Sequence, residues 1–239
     1  MSMAKNIEPK LRKIGDYLKL EDDTVFTIPE YLEIFRTFIP GRSVTLVEVS
    51  ETEIGKMSHL TTPQGCLAIG RIPLYTLPGT AGFTSLILGL DDIQDPGNMG
   101  TILRTADWFG VHDVVCSPGC ADIYNPKVVQ ASMGAISRVR VHYLPLLPFI
   151  REKMENGIPV YGTLLEGDNL FTTTLSENGI ILLGNEGKGI KNELLPLMTN
   201  KITIPSFHTG EGRPDSLNVS VAASIIVSEF RRSHLMKGS

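Results

Sequence analysis

The sequence predicts an α/β protein in two parts, a small N-terminal α/β unit followed by a larger domain built on a mostly parallel sheet. Three observations carry this. From Thr84 onward, short apolar runs alternate with helix-length amphipathic segments, the pattern left by strands joined through crossover helices. A stretch with two prolines and two glycines, residues 73–82, separates that region from what precedes it. The 239 residues, 42% hydrophobic and 20% charged, suffice to bury a real core in one large or two small domains.

Taken in order, Leu11, Ile14 and Leu18 suit the apolar face of a short helix, and the Pro40-Gly41 turn leads into a strand over residues 44–49. A helix is expected over 51–57, and the turn Thr62-Pro63-Gln64-Gly65 opens into a strand over 66–69. Residues 84–90 read as a buried strand, followed by a polar loop over 91–98. Met99, Ile102, Leu103, Ala106 and Phe109 then form a helical stripe that Gly110 stops. Alternation continues with a strand at 113–116, a helix starting at Pro126 and including Val128 and Val129, and a strand near 139–141. A helix at 149–154 and strands at 159–164 and 180–183 follow, then a helix through 194–198. The last stretch, 201–232, has a short alternating strand at 202–204, a polar loop over 206–214 and a helix from about Asn218.

Composition narrows the function classes. A net charge of −4 argues against an indiscriminate nucleic-acid binder while leaving room for a local basic patch on a folded RNA. Three cysteines, no apolar leader pattern and no apolar run long enough to span a bilayer point to a reducing cytoplasm and no membrane. Cys116 and Cys120 read as ordinary thiols, since no second Cys/His pair follows at zinc-site spacing. His59, His112, His142, His208 and His234 are scattered, so no metal is expected; only His208 sits in a loop of interest. Gly97-Asn98-Met99-Gly100 has the wrong spacing for a dinucleotide turn. In Gly184-Asn185-Glu186-Gly187-Lys188-Gly189, Ile190 stands where a phosphate-binding loop needs lysine.

The join before the last helix admits two readings. Asp215 and Ser216 are good N-caps, yet Asn218, Ser220 and Ser224 continue polar down a helix otherwise lined by Val219, Ala222, Ala223, Ile225, Ile226 and Phe230. They either cap the helix or build a binding site on its free N–H groups. The string Ser216-Leu217-Asn218-Val219-Ser220-Val221-Ala222 resembles the last signature of the SpoU-type (TrmH-like) 2′-O-ribose RNA methyltransferases of the SPOUT superfamily. Asn98-x-Gly100-x-x-x-Arg104 resembles the first signature and Gly184-x-Glu186-x-x-Gly189 the second, in the family's order. The segment from Lys127 to Ala135 between them strengthens the match, which covers residues 84–230. The loop over 206–215 is longer than is common in the family.

The resemblance implies an RNA substrate-binding domain over 1–72, a linker over 73–82 and a methyltransferase domain with a deep trefoil knot over 83–239. Thr62-Pro63-Gln64-Gly65-Cys66-Leu67-Ala68 resembles the end of a ribosomal-protein-like RNA-binding domain, although the usual Val-x-Glu-Gly segment is missing, so that domain is expected to be shortened or diverged. The implied activity is transfer of a methyl group from S-adenosylmethionine to a ribose 2′-hydroxyl of structured rRNA or tRNA, without a metal. Gly184, Ile204 and Leu217 are the implied cofactor contacts, with Thr163 and Leu165 behind them. Arg104 takes the family's catalytic position, and Asn98, Glu186, Ser216 and Asn218 would orient Arg104, the ribose or the cofactor. Each also has a plain structural reading: Asn98 and Ser216 as helix caps, Glu186 as the partner of Lys188. Arg231 and Arg232 suit the negative end of their own helix. A homodimer is expected, with Val221, Ile225 and Phe230 supplying apolar surface. A protein of the same fold that binds RNA without catalysis is the alternative.

Overall fold

The structure, a computed structural model, describes residues 23–38, 44–58, 60, 62–70, 72–208 and 216–235. The helix expected around Leu11, Ile14 and Leu18, the Pro40-Gly41 turn, and residues 209–215 with the cap expected at Asp215 lie outside the described residues, as do His59 and the side chain of His234. The chain divides into two compact units, Met1–Leu74 and Tyr75–Ser239.

In the first unit, β1 (Asp23–Thr27), α1 (Pro29–Phe38), β2 (Val44–Glu48), α2 (Glu51–Met57) and β3 (Cys66–Ile69) form a three-stranded sheet of order β2-β1-β3 with its helices. β1 runs parallel to β2 and antiparallel to β3. Neither β1 nor α1 is among the sequence expectations. The inward side of β1 reads Asp23, Val25, Thr27, so a polar-apolar-polar face conceals a central strand. α2 begins on a reciprocal cap: Glu53 N donates to Ser50 Oγ at 3.3 Å and Ser50 N donates to Glu53 Oε2 at 2.7 Å.

The second unit holds β4 (Leu86–Leu90), α3 (Pro96–Trp108), β5 (Asp113–Cys116), α4 (Pro126–Ser132), β6 (Arg140–Tyr143), α5 (Leu146–Glu155), β7 (Val160–Asn169), β8 (Gly179–Leu183), β9 (Asn200–Thr203) and α6 (Val219–Leu235). All six strands are parallel, in the order β6-β5-β4-β8-β7-β9. β4, β5 and β8 are buried along their whole length, which is why they read as unbroken apolar runs: a parallel sheet is covered on both faces. The helix expected at 194–198 is instead a single 3-10 turn, Leu195–Leu197, because Pro196 removes a donor and Leu197 N bonds back only to Leu194. The stretch after Tyr75 is held against this unit: Leu77 and Phe83 pack on its core and the buried Lys153 donates to Pro78 O at 2.9 Å.

Two helix contacts decide where the site falls. At Gly100 a Cβ would come within 2.4 Å of Ala131 Cβ, so the glycine in the first signature lets α3 and α4 touch. α6 lies alongside α3 in the same direction, tied at three levels. Asn218 Nδ2 donates to Asn98 Oδ1 (2.9 Å), Thr105 and Ser224 share a hydrogen bond (2.8 Å), and Arg231 donates to the carbonyls of Phe109 (2.7 Å) and Gly110 (2.9 Å). Arg231 therefore caps the C-terminus of α3 rather than serving its own helix, while Arg232 pairs with Glu229. Phe230 is buried with its ring edge-on to Tyr161, 4.9 Å between centroids, so it belongs to the unit's own core. Of the three residues expected to supply dimer surface, Val221 is exposed and Ile225 half-buried.

Candidate active site

The strand order reverses at β4: β5 and β6 lie on one side, β8, β7 and β9 on the other. In an open parallel sheet the carboxyl ends at such a reversal leave a crevice where ligands bind. Here the loops after β4 and β8 meet. Asp91 N donates to Leu183 O at 2.8 Å and Asn185 Nδ2 donates to Asp92 O at 2.8 Å. Lys191 Nζ lies 3.2 Å from Asp91 and 3.0 Å from Asp92, and its N–H donates to Asp91 Oδ2 at 2.8 Å. The hydrogen bond from Ser117 holds the Asp92 carboxyl below its ordinary range, with Lys191 adding to the effect, and Asp92 in turn raises the Lys191 ammonium. Gly119 is required at the same place, since a Cβ there would stand 2.3 Å from Asp92 Oδ1. Ile93 N donates to Cys120 Sγ at 3.3 Å; a hydrogen bond from Cys116 brings the Cys120 thiol down to about 7 despite burial, and pushes the Cys116 thiol well up. Asp92, Ser117, Asn185 and Lys191 were not singled out in the sequence; each acts through a partner far along the chain.

On this pinned base sits a three-residue lattice. Asp95, not Asn98, caps α3, accepting from Asn98 N at 2.8 Å, which leaves the Asn98 amide free for other work. Asn98 Nδ2 donates to Glu186 Oε1 at 2.9 Å, and Asn218 Nδ2 donates to the same oxygen at 2.7 Å, with Val219 N at 3.3 Å. Glu186 thus turns to two asparagines rather than to Lys188. Asn218, not Ser216, caps α6: its Oδ1 accepts from Ser220 N (3.0 Å), Ser220 Oγ (2.6 Å) and Val221 N (3.3 Å). A carboxylate only accepts, so the orientation of both amides follows from Glu186. The carboxylate lies between the N-termini of two parallel helices, where both dipoles favour negative charge. Asn218 thus bears out the capping reading of the helix start, and the N–H groups of Val219, Ser220 and Val221 are taken up by Glu186 and Asn218.

Arg104 is exposed and makes no hydrogen bond or ion pair among the described residues. Six residues beyond Asn98, it stands about 9 Å further along α3 and about 120° around it. The lattice does not touch it. Ser216 is exposed and likewise outside the lattice.

Of the residues expected to hold the cofactor, Gly184 follows β8, Ile204 follows β9, Thr163 and Leu165 lie in β7 just past its pairing with β8, and Leu217 precedes α6. Thr163 Oγ1 donates to Leu182 O at 2.9 Å, across to β8, and Thr203 Oγ1 donates to Leu165 O at 3.1 Å, across from β9. Leu165 is 72% and Leu217 48% exposed, and Ile204 is half-buried. At Gly184 a Cβ would lie 2.4 Å from both Gly189 C and Ile190 N, so the glycine lets residues 185–189 fold back through the Asn185–Gly189 bridge. His208 is exposed, in contact through its N–H with Ser206 Oγ. Among the described residues no group of His, Cys, Asp and Glu is arranged to hold a metal ion.

Known proteins resemble the chain in sequence and in fold. Residues 85–228 match the model of the SpoU rRNA Methylase family. The 23S rRNA (guanosine(2553)-2'-O)-methyltransferase RlmP of Bacillus subtilis (strain 168) is 33% identical over 208 residues, spanning 85% of this chain and 81% of that protein. A solved TrmH-family protein from Porphyromonas gingivalis superposes with a TM-score of 0.82 at 37% identity, covering 92% of this chain and 87% of the other. An AdoMet-bound rRNA methyltransferase from Sinorhizobium meliloti gives a TM-score of 0.76 at 26% identity, covering 94% and 84%.

Proposed function

Because the chain belongs to the SpoU rRNA Methylase family, we propose that it is an S-adenosylmethionine-dependent methyltransferase that modifies a ribose 2′-hydroxyl of ribosomal or transfer RNA. The relatives named for 23S rRNA favour ribosomal RNA. The observation that carries the reading is the Asn98–Glu186–Asn218 lattice at the N-termini of α3 and α6, which brings one residue of each of the three signatures together, with Arg104 exposed further along α3.

The expected cofactor contacts fit the ligand. Leu165 and Leu217 leave apolar surface uncovered and Ile204 is only half-buried, which supports their use in holding a purine ring. S-adenosylmethionine supplies an electrophilic methyl group on a sulfonium. This chain must place the 2′-oxygen in line with that methyl and take up the charge that develops as the hydroxyl proton leaves. Arginine holds its proton too firmly for an ordinary base, so Arg104 acts as a planar cation that pairs with the adjoining phosphate and stabilises the developing alkoxide, while that phosphate relays the hydroxyl proton to solvent. Glu186 holds both asparagines in one orientation, and its charge is held by the helix ends rather than by the substrate. Ser216, next to Leu217, orients ribose or cofactor.

Residues 1–72 take the role of an RNA-gripping domain and 83–239 that of a knotted catalytic domain, with 73–82 between them. A homodimer forms through Val221 and the exposed side of Ile225, and the protein works in the cytoplasm; no helix among the described residues is long and apolar enough to cross a membrane. Sedimentation that finds a fully active monomer at micromolar concentration refutes the dimer. The function is tested by mapping 2′-O-methyl groups in total RNA from cells with and without the gene. One nucleotide should lose its mark and regain it on incubation with the purified protein and S-adenosylmethionine. An unchanged map would favour a binding protein of the same fold.

A further inference from the structure

Between the lattice and the C-terminal tie, α3 and α6 are joined by a hydroxyl pair that none of the signature roles above uses. Thr105 Oγ1 and Ser224 Oγ stand 2.8 Å apart, and Ser224 Oγ also lies 2.8 Å from Ser220 O. A carbonyl can only accept, so the one proton of Ser224 is committed to Ser220 and Thr105 must be the donor of the pair. Ser220 Oγ then donates to Asn218 Oδ1, and Asn218 Nδ2 reaches Glu186. Thr105 is 7% and Ser220 6% exposed, and Ser224 is half-buried, so water has only limited access to these bonds.

Thr105 follows Arg104 directly. The Arg104 side chain has no partner among the described residues, so its location depends on how α3 is rotated and how far it has slid along α6. Ile102, Leu103 and Ala106 bury the inner side of α3, but apolar packing has little directionality. A hydrogen bond between two side-chain hydroxyls specifies both angle and register.

We propose that Thr105 and Ser224 are positioning residues for methyl transfer, their hydrogen bond fixing the rotation and register of α3 on α6 and so the place of Arg104 relative to the Asn98–Glu186–Asn218 lattice. The proposal rests on Arg104 acting at the 2′-oxygen. Reaction geometry is demanding, a misplacement of about 1 Å being able to cost about 100-fold. A single lost bond with the helices still packed should therefore slow transfer by about 5- to 10-fold.

The test is single-turnover methylation, by the full-length protein, of RNA purified from cells lacking the gene, alongside S-adenosylmethionine titration and thermal unfolding. Thr105→Val, nearly isosteric, and Ser224→Ala should each lower the rate at saturating cofactor and RNA without changing cofactor affinity. The double variant should be no slower than either single one, because both remove the same bond. Thr105→Ser should restore most of the rate. In an Arg104→Ala background Thr105→Val should add nothing. Full rates in the folded single variants, multiplying losses in the double, or an undiminished Thr105→Val effect without Arg104 would each overturn the proposal. A near-normal rate in Arg104→Ala alone would instead remove the catalytic reading beneath it.

Discussion

Replacing Asn218 by aspartate separates its two tasks. Aspartate caps a helix as well as asparagine does, so the bonds to Ser220 N and Val221 N survive. The outward atom, however, changes from an amide donor 2.7 Å from Glu186 Oε1 to a second carboxylate oxygen. Two unit charges about 3 Å apart repel by about 1.4 kcal/mol at the dielectric of water, which applies here because Asn218 and Glu186 are both exposed. The lost charge-assisted bond adds about 1.5 kcal/mol. Asn218→Asp should therefore be about 3 kcal/mol less stable than wild type at pH 7. Asn218→Ala should lose about 2.5 kcal/mol, about 1 from the cap and about 1.5 from the bond. The two variants part company in acid. In Asn218→Asp the shared site raises the apparent pKa of the carboxyl pair above the unfolded values near 4, so the penalty is complete above the folded value and recedes as pH falls through it. One carboxyl then donates to the other and the deficit should shrink, whereas that of Asn218→Ala should not. Urea unfolding of both variants and wild type from pH 4.5 to 8 reads this out. A deficit in Asn218→Asp that is absent at pH 7, or constant across the range, would refute the placement of Asn218 against Glu186.

Arg104→Ala should cut single-turnover methylation by about 10²- to 10³-fold, the scale of one preorganised electrostatic group, with cofactor affinity intact; Arg104→Lys should rescue poorly because a point charge lacks the planar fork. Gly184→Ala should weaken S-adenosylmethionine binding, measured calorimetrically, together with a lower melting temperature, because its Cβ meets the backbone of Gly189 and Ile190; loss of binding with unchanged melting would mean that the glycine faces the ligand after all. Burial pushes the Asp113 carboxyl up, but the hydrogen bonds from His142 (3.0 Å) and Arg140 (2.6 and 2.9 Å) outweigh it and leave it below its ordinary value. Its contribution is therefore complete above the unfolded value near 4 and lost as pH falls through the folded one. Asp113→Asn should lower urea stability at pH 7 and converge with wild type in acid; a gap that persists at pH 2 would contradict this.

The sequence by itself determined the α/β alternation of the larger unit, because strands covered on both faces leave apolar runs and their helices leave stripes ended by residues such as Gly110. It also marked Asn98, Arg104, Glu186 and Asn218 as a set, through signatures whose order survives although their spacing along the chain conveys no geometry. It did not reveal β1, whose inward face carries Asp23 and Thr27. Only the tertiary structure decided which polar residue caps and which reaches out. Asp95 frees Asn98 to bond Glu186, 88 residues away, and Asn218 meets Asn98 across 120. It likewise placed Phe230 in the core against Tyr161, and turned Gly184 toward the backbone of its own loop. A local pattern encodes the conformation of a segment. The partner that satisfies a hydrogen bond or fills a contact is fixed by which segments the sheet brings side by side, and that choice is made only when the whole domain folds.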